Sequence, residues 1–211
     1  MTTESVPTAS HHKSASTARP LHPLLAQRWS PRAFDAGSAL TGEQATALLE
    51  AARWAPSANN SQPWRFLLAR RGGAAFDRLF ATLAAGNQVW AGEASALVLV
   101  AAQVHDADGT PMPWARYDTG QAVAHLSTQA EHEGLAVHQL GGFDAVRAAA
   151  AFGLDESLAP VVVLAVGSRA TGEGLPEPFA ARERAPRERQ PLDDLLLSAS
   201  DPIDCELALS A

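Results

Sequence analysis

The sequence predicts an αβ sandwich, in which helices cover one central sheet. Segments with the apolar character of strands interleave with segments whose apolar residues recur at helical spacing. The chain has 211 residues, of which 46% are hydrophobic, so one sizeable core can form. We see neither an internal repeat nor a linker between two cores. We therefore predict a single globular domain over residues 19–211, with an extended C-terminal arm.

A polar tail precedes the first predicted element. Residues 1–18 are rich in Ser, Thr and Ala and offer almost nothing to bury, which predicts a disordered tail. Further along, Thr41 and Gln44 have the form of a capping box, and Pro56 closes the helix that they open. The elements predicted up to residue 104 are a helix from Leu21, the helix between Thr41 and Pro56, a strand over 64–70, a helical stripe from Phe76 to Leu83, and a buried strand over 95–104.

The C-terminal half continues the alternation of helices and strands. Val123, Leu126 and Ala130 share one face of a long predicted helix, which runs from Asp118 and ends at Gly134. The later predicted elements are a strand over 135–140, a short helix over 143–153, a central strand over 160–167, and a charged, proline-punctuated segment over 176–196 that runs extended on the surface.

The composition excludes several classes of function. A net charge of −7 argues against a broad nucleic-acid or membrane surface, but it leaves room for a local basic pocket. Cys205 is the only cysteine, so a disulfide within the chain is excluded, and we expect no metal site. No G-x-G-x-x-G follows a predicted strand, no apolar run approaches the ~20 residues that span a bilayer, and no secretory signal is present. We expect a cytoplasmic protein without nucleic-acid or membrane partners.

Two basic motifs stand near opposite ends of the chain. Arg28, Ser30 and Arg32 alternate, which places their side chains on one face of an extended segment. Two guanidiniums and a hydroxyl on one face suit a phosphate or another anion, although two arginines on a solvated turn would give the same pattern. Arg187 and Arg189 repeat the spacing, so both ends could build one basic pocket.

A polar loop follows the capped helix. The stretch at 55–64 reads APSANNSQPW, in which two prolines bracket small and amide residues. A simple connection between a helix and a strand needs far fewer hydrogen-bonding side chains, so the loop is predicted to hold something.

Taken together, these segments resemble the FMN-dependent nitroreductase family. The resemblance covers roughly residues 21–192 and lies in the order of the segments, which read RWSPRAF, AARWAPSANNSQPWRF, GNQVWA, YDTGQAVAHLSTQAEHEGLAVHQLGGFD, PVVVLAVG and PRERQPL. The HQ-x-GGFD part resembles the compact members. The resemblance implies an α+β fold with a central, mostly antiparallel sheet flanked by helices. It also implies an intertwined homodimer, with two FMN sites at the subunit interface.

The resemblance also implies which residues bind the cofactor. The basic motif at Arg28, Trp29, Ser30 and Arg32 would bind the phosphate and ribityl chain, with Arg32 at the pyrimidine edge. Arg187 and Arg189 would also reach the phosphate. The remaining cofactor-binding residues are Pro56, Ser57, Ala58 and Asn60 from the partner chain, along the isoalloxazine, and Leu140, Gly141 and Gly142 near N5.

The implied chemistry is flavin-mediated electron transfer. NADH or NADPH would reduce FMN, which then reduces a nitroaromatic, a quinone or a similar small acceptor by a ping-pong mechanism. We nominate no catalytic side chain. The chain departs from many family members at Ala91, where an asparagine contacts the pyrimidine. Three alternatives stay open: a specialised reductive dehalogenase, enal or semialdehyde reductase; a flavin-cleaving enzyme; and a flavin-binding protein without turnover.

Overall fold

A computed structural model describes residues 13–197 of the chain. Its helices are α1 (Pro23–Gln27), α2 (Gly42–Arg53), α3 (Ala74–Phe80), α4 (Ala85–Ala91), α5 (Ala115–His132), α6 (Ala145–Phe152) and α7 (Phe179–Arg184). Its strands are β1 (Trp64–Arg70), β2 (Ala96–Gln103), β3 (Ala136–Leu140) and β4 (Leu158–Gly167). Short 3₁₀ turns span Ala58–Asn60 and Leu192–Leu195.

The strands form one antiparallel sheet in the order β1-β2-β4-β3. β2 is buried along almost its whole length, because β1 and β4 flank it and helices cover both faces. Alternate residues of β2 point to opposite faces, so Val98 and Val100 join one core cluster while Leu97 and Leu99 join the other. The predicted fold class, helices around a central antiparallel sheet, is confirmed.

Helix α2 begins with the predicted capping box. The Thr41 hydroxyl accepts the Gln44 N–H at 3.1 Å, and the Gln44 side-chain oxygen accepts the Thr41 N–H at 3.1 Å. These bonds satisfy backbone donors that the first turn of a helix leaves unpaired. Leu48 and Ala52 are buried on the face that packs against α5.

Helix α5 is the long helix that the sequence predicted, and it begins at Ala115, slightly earlier than expected. Leu126 and Ala130 are buried on its inner face. Gly134 follows the helix with φ of +70°, a left-handed conformation that glycine adopts without strain, and so ends the helix as predicted.

Two predicted boundaries are wrong. Residues 176–196 do not run extended throughout, because α7 forms at Phe179–Arg184, where Ala180 and Glu183 are buried. α3 ends at Phe80, and Leu83 lies beyond it in a bridge with Phe143. Tertiary burial decided both cases, since neither segment carries a long helical pattern.

The chain termini divide between described and undescribed residues. Residues 1–12 and 198–211, which include Cys205, lie outside the described residues. Lys13 lies within the predicted tail but is only 4% exposed, and the Ala15 N–H donates to the Ala26 carbonyl at 2.8 Å. Lys13 therefore belongs with the packed part of the chain. Between residues 13 and 197, no helix is long and apolar enough to cross a membrane.

Candidate functional site

The basic segment, residues 28–33, follows α1. Arg28 ends that helix with extended φ and ψ of −61° and 126°. Arg28, Ser30 and Arg32 are all half-buried. Among residues 13–197, none of their guanidinium or hydroxyl groups forms a hydrogen bond, and none of these groups is fully buried. Three predicted site residues therefore keep their side-chain donors available to a ligand.

Like charges surround Arg28. Burial lowers the pKa of Arg28, and the nearby charges of Arg189 and Arg169 lower it further, while Glu131 opposes them. A half-buried guanidinium next to other guanidiniums is destabilised unless an anion joins the group. The guanidiniums of Arg28, Arg169 and Arg189, together with that of Arg187, form a basic cluster. This basic cluster is electrostatically suited to bind an anion.

Glu131 and Arg169 form an ion pair at the edge of this cluster, and only 6% and 18% of their side chains are exposed. The Arg169 guanidinium lies 5.9 Å from the centre of the Trp29 ring, and the Lys13 ammonium lies 4.1 Å from it. Among the described residues, Trp29 Nε1 and Arg169 Nε are buried without a hydrogen-bond partner. Both groups can donate to a ligand.

Arg187 ties the C-terminal arm to the N-terminal part of the chain. Its Nη1 donates to the Lys13 carbonyl at 2.9 Å and to the Ala26 carbonyl at 2.6 Å. Burial lowers the pKa of Arg187, and Arg28 and Arg189 lower it further. Arg189 itself is exposed and donates to the Glu188 carbonyl at 2.7 Å. The segment from Lys13 to Arg28 and the segment around Arg187 and Arg189 thus meet at one basic cluster.

The amide loop, residues 56–62, has a constrained backbone. Asn59, Asn60 and Gln62 have φ values of 53°, 55° and 48°. This left-handed region costs most residues about 1–2 kcal/mol, and asparagine less. The Ser57 hydroxyl accepts the Gln62 N–H at 3.1 Å and so closes the loop. Part of the polarity that the sequence left unexplained therefore holds the loop in shape.

A buried carboxylate anchors the amide loop to α5. Asp118 is 3% exposed, and its Oδ2 accepts the Ala58 N–H at 3.0 Å. Gln121 donates to its other oxygen at 3.3 Å. The Asn60 side-chain amide, by contrast, forms no hydrogen bond with residues 13–197 and is exposed. The amide is free to contact another molecule.

One chain does not bring the amide loop and the basic cluster together. Asp118 holds the loop in the first turn of α5, and Glu131 borders the basic cluster in the last turn of this 18-residue helix. At 1.5 Å rise per residue, the two anchors are about 20 Å apart. The two groups of predicted site residues therefore lie at opposite ends of one helix.

The third predicted group lies where β3 ends. Leu140 is buried, while Gly141 and Gly142 are exposed, and neither glycine N–H bonds to residues 13–197. The Gly142 carbonyl accepts from the Ala84 N–H and from Asn87 Nδ2, both at 2.9 Å. A Cβ at Gly142 would lie 2.9 Å from that Asn87 nitrogen, so only glycine fits there without a shift. The backbone of Gly142 is therefore held in place, while its N–H forms no hydrogen bond with residues 13–197.

Ala91 lies in the interior instead of facing a ligand. It is fully buried in α4 and joins the core cluster on the α4 side of the sheet. The pyrimidine contact that the resemblance implies for this position cannot come from Ala91. A separate open cavity of about 480 Å³ includes Arg78, Thr82 and Arg147 in its lining but none of the predicted site residues.

Large aromatic side chains are exposed beside the amide loop. Trp54 is 74% exposed two residues before Pro56, and Trp114 and Tyr117 are 62% and 66% exposed next to Asp118. Exposed aromatic side chains grouped in this way mark contact surfaces on soluble proteins. The amide loop therefore lies in a surface suited to bury apolar area against another molecule.

Sequence reasoning missed several residues that shape these sites, namely Lys13, Asp118, Glu131, Arg169 and Glu183. Asp118 stood inside a quoted family segment, but nothing in its spacing linked it to Ala58, 60 residues away. Arg169 lies in the stretch 167–174, GSRATGEG, whose glycines are spaced like a phosphate loop but which has Glu173 where the lysine would stand. No sequence signal distinguished Glu183 from its charged neighbours.

Comparison with known proteins bears on this arrangement. A profile described as the nitroreductase family matches residues 25–168, which include the basic segment, the amide loop and the whole sheet. The chain belongs to the nitroreductase family. The resemblance inferred from the sequence is confirmed, while membership of the compact HQ-x-GGFD group stays a prediction.

Individual proteins similar to this chain match over most of their own length. A crystal structure of an oxidoreductase containing FMN is 32% identical, with a TM-score of 0.81, over 91% of this chain and 96% of that one. An uncharacterised 15.4 kDa protein of Mycolicibacterium smegmatis is 38% identical over 62% of this chain and 92% of its own. YdgI of Bacillus subtilis, a proposed NAD(P)H nitroreductase, is 27% identical over 72% of this chain and 88% of its own.

Proposed function

We propose that this nitroreductase-family chain is an FMN-dependent oxidoreductase. It takes hydride from NADH or NADPH and reduces nitroaromatics, quinones or a similar small acceptor by a ping-pong mechanism. The observation that carries the proposal is the set of side-chain donors on the basic segment that form no hydrogen bond within residues 13–197. Arg28, Ser30 and Arg32 offer their side chains beside a cluster of like charge, which fits a cofactor that carries a phosphate.

The residues present fit FMN. Trp29 Nε1 and Arg169 Nε are buried donors without partners among residues 13–197, and they border the arginine cluster. A phosphate there would pair with Arg28, Arg187 and Arg189. The FMN-containing relative is similar over almost its whole length, which supports the same cofactor here.

Each group of residues would have a separate role toward the flavin. The bound flavin supplies hydride transfer between the nucleotide and the second substrate. Arg28, Arg187 and Arg189 would hold the phosphate, and Arg32 would bring positive charge to the pyrimidine edge. Gly141 and Gly142, whose N–H groups bond to no residue between 13 and 197, would present these donors near N5. We nominate no side chain as an acid or base.

The site requires two chains in this proposal. The amide loop lies about 20 Å along α5 from the basic cluster, and it is bordered by exposed Trp54, Trp114 and Tyr117. A homodimer would place the amide loop of each chain along the flavin held by the other. We propose a single domain over residues 19–211, against which Lys13 also packs. Its C-terminal arm, with Leu197 fully exposed, reaches across to the partner.

Purification and anaerobic reduction test the proposed function. The protein should be yellow with a flavin spectrum, and NADH or NADPH should bleach it without oxygen. A quinone or nitroaromatic should then restore the spectrum. Absence of FMN, even after incubation with it, would refute the proposal. Bound FMN that neither nucleotide bleaches would instead favour a flavin-binding protein without turnover.

Substitution of Asn60 tests the role of the amide loop. Asn60→Gly keeps the left-handed backbone and removes the free amide, so flavin occupancy should fall while the melting temperature stays close to that of the unmodified chain. Asn60→Ala should also lower occupancy, but it should cost about 1 kcal/mol of stability because alanine tolerates φ of 55° poorly. Absorbance at purification and thermal melts measure both effects. Full flavin occupancy in Asn60→Gly would show that the loop is only structural.

A further inference from the structure

One buried carboxylate outside the residues assigned to the flavin contacts the basic segment. Glu183, in the last turn of α7, is 7% exposed. Its two oxygens accept the Arg32 backbone N–H at 3.1 and 3.0 Å, and Oε1 also accepts the Ala33 N–H at 3.2 Å. Two successive backbone donors therefore converge on one side chain that comes from 150 residues further along the chain.

The surrounding backbone leaves little freedom to this contact. The Ala170 N–H donates to the Ala33 carbonyl at 3.1 Å, so the strand-like segment after β4 holds the other edge of the basic segment. Gly172 has φ of +83°, and a Cβ there would lie 3.1 Å from Glu183 Cγ. The Glu183 side chain is thus packed on its far side as well as hydrogen-bonded.

Glu183 also provides negative charge close to Lys13 and Arg32. It opposes the lowering by burial of the pKa values of Lys13 and Arg32. The Lys13 ammonium donates to the Arg182 carbonyl at 3.2 Å, next to Glu183 in the chain, and the Lys13 carbonyl accepts from Arg187. The same few residues therefore join the basic segment, the N-terminal segment and the C-terminal arm.

We propose that Glu183 is a positioning residue for flavin binding, which holds the basic segment by its backbone so that Arg28, Ser30 and Arg32 present one face to the cofactor. This inference rests on the proposed function. Glu183 does not contact the flavin in this role. It acts through Arg32 and Ala33, and it links their position to that of Arg187 through the C-terminal arm.

The charge of Glu183 and its positioning role predict opposite changes in FMN affinity when Glu183 is substituted. Glu183 is an anion close to a cluster that receives a phosphate, so removing its charge would strengthen FMN binding if electrostatics dominated. Loss of position would weaken binding, because charge-assisted bonds to two N–H groups are lost and the segment relaxes. The direction of the change in FMN affinity therefore separates the two effects.

The test uses the full chain with three substitutions. Glu183→Gln removes the charge and nearly keeps the shape, while Glu183→Asp keeps the charge but shortens the reach. Glu177→Gln is the matched control, because Glu177 lies just before α7 and is exposed, and within the described part of the chain its side chain bonds only to Ala181 and Arg184. FMN titration of each apoprotein gives the dissociation constant, and the midpoint potential of bound FMN reports the position of Arg32.

We expect FMN affinity to fall about tenfold in both Glu183 variants and to stay unchanged in Glu177→Gln. The midpoint potential should fall in both Glu183 variants, because Arg32 no longer stabilises the reduced pyrimidine in place. Unchanged or tighter FMN binding in Glu183→Gln would overturn the inference, as would an unfolded chain in both Glu183 variants. If the unmodified chain bound no FMN, the proposed function would fail together with this inference.

Discussion

Acidification from pH 7 to pH 4 should destabilise the folded chain by about 3 kcal/mol through His138 alone. Burial lowers the pKa of His138 from 6.5 to about 4, and the positive charge of Arg32 acts in the same direction. The His138 ring lies 4.6 Å from the Trp90 ring, and its Nδ1–H donates to the Pro31 carbonyl at 2.8 Å. That bond favours the protonated ring, but its effect on the pKa is smaller than that of removing the ring from water.

The direction of this change in stability follows from the pH at which His138 is protonated in the unfolded and in the folded chain. An unfolded chain protonates this histidine near pH 6.5, and the folded chain does so near pH 4. Between these values the unfolded state binds more protons, so the stability is complete above pH 6.5 and is lost as the pH falls toward 4. Below pH 4 the loss levels off.

Urea unfolding from pH 4 to pH 7 measures this effect. His138→Gln should lose most of the pH dependence of the free energy of unfolding over this range. His125→Gln, which changes an exposed histidine of α5, should keep it. The same pH dependence in His138→Gln and in the unmodified chain would mean that other groups carry the acid sensitivity.

Arg28→Ala should weaken FMN binding by about 1.5–3 kcal/mol, because it removes the charge-assisted bond that we propose to the phosphate. The Arg28 guanidinium forms no hydrogen bond with residues 13–197, so the fold loses little. Removing it also relieves repulsion with Arg189 and Arg169. The apoprotein should therefore melt at or slightly above the temperature of the unmodified chain.

Titrations with FMN and with riboflavin locate the lost contact. Arg28→Ala should bind FMN more weakly but riboflavin almost as well as the unmodified chain, since riboflavin lacks the phosphate. Arg78→Ala, an exposed arginine on α3, is the matched control and should change neither affinity. Equal losses for both ligands would place Arg28 near the flavin ring.

Local patterns predicted the elements of this fold well. The pairing of Thr41 with Gln44 and the glycine at position 134 act within one turn of a helix, so the sequence carries them completely. The strands of the sheet are apolar runs bounded by turn residues. α7 was missed, because a six-residue helix depends on burial of Ala180 and Glu183 more than on local propensity.

In the candidate site, too, the sequence predicts groups of neighbouring residues but not contacts between distant ones. Arg28, Ser30 and Arg32 could be grouped from their alternation alone. Glu183 could not be linked to Arg32, nor Asp118 to Ala58, because those bonds join residues 151 and 60 positions apart and depend on how the chain folds back. Spacing describes neighbours along the chain, whereas long-range partners depend on packing.

The sequence by itself predicted the family, through the order of its motifs, and an αβ architecture, through local periodicity. The antiparallel sheet and the residues proposed to face a flavin were implied by the resemblance to that family. Tertiary structure alone decided that Ala91 is buried and that the Asp118 and Glu183 carboxylates hold the amide loop and the basic segment. It also decided that the amide loop and the basic cluster lie at opposite ends of α5. These outcomes depend on which distant surfaces exclude water together, and only the folded chain selects them.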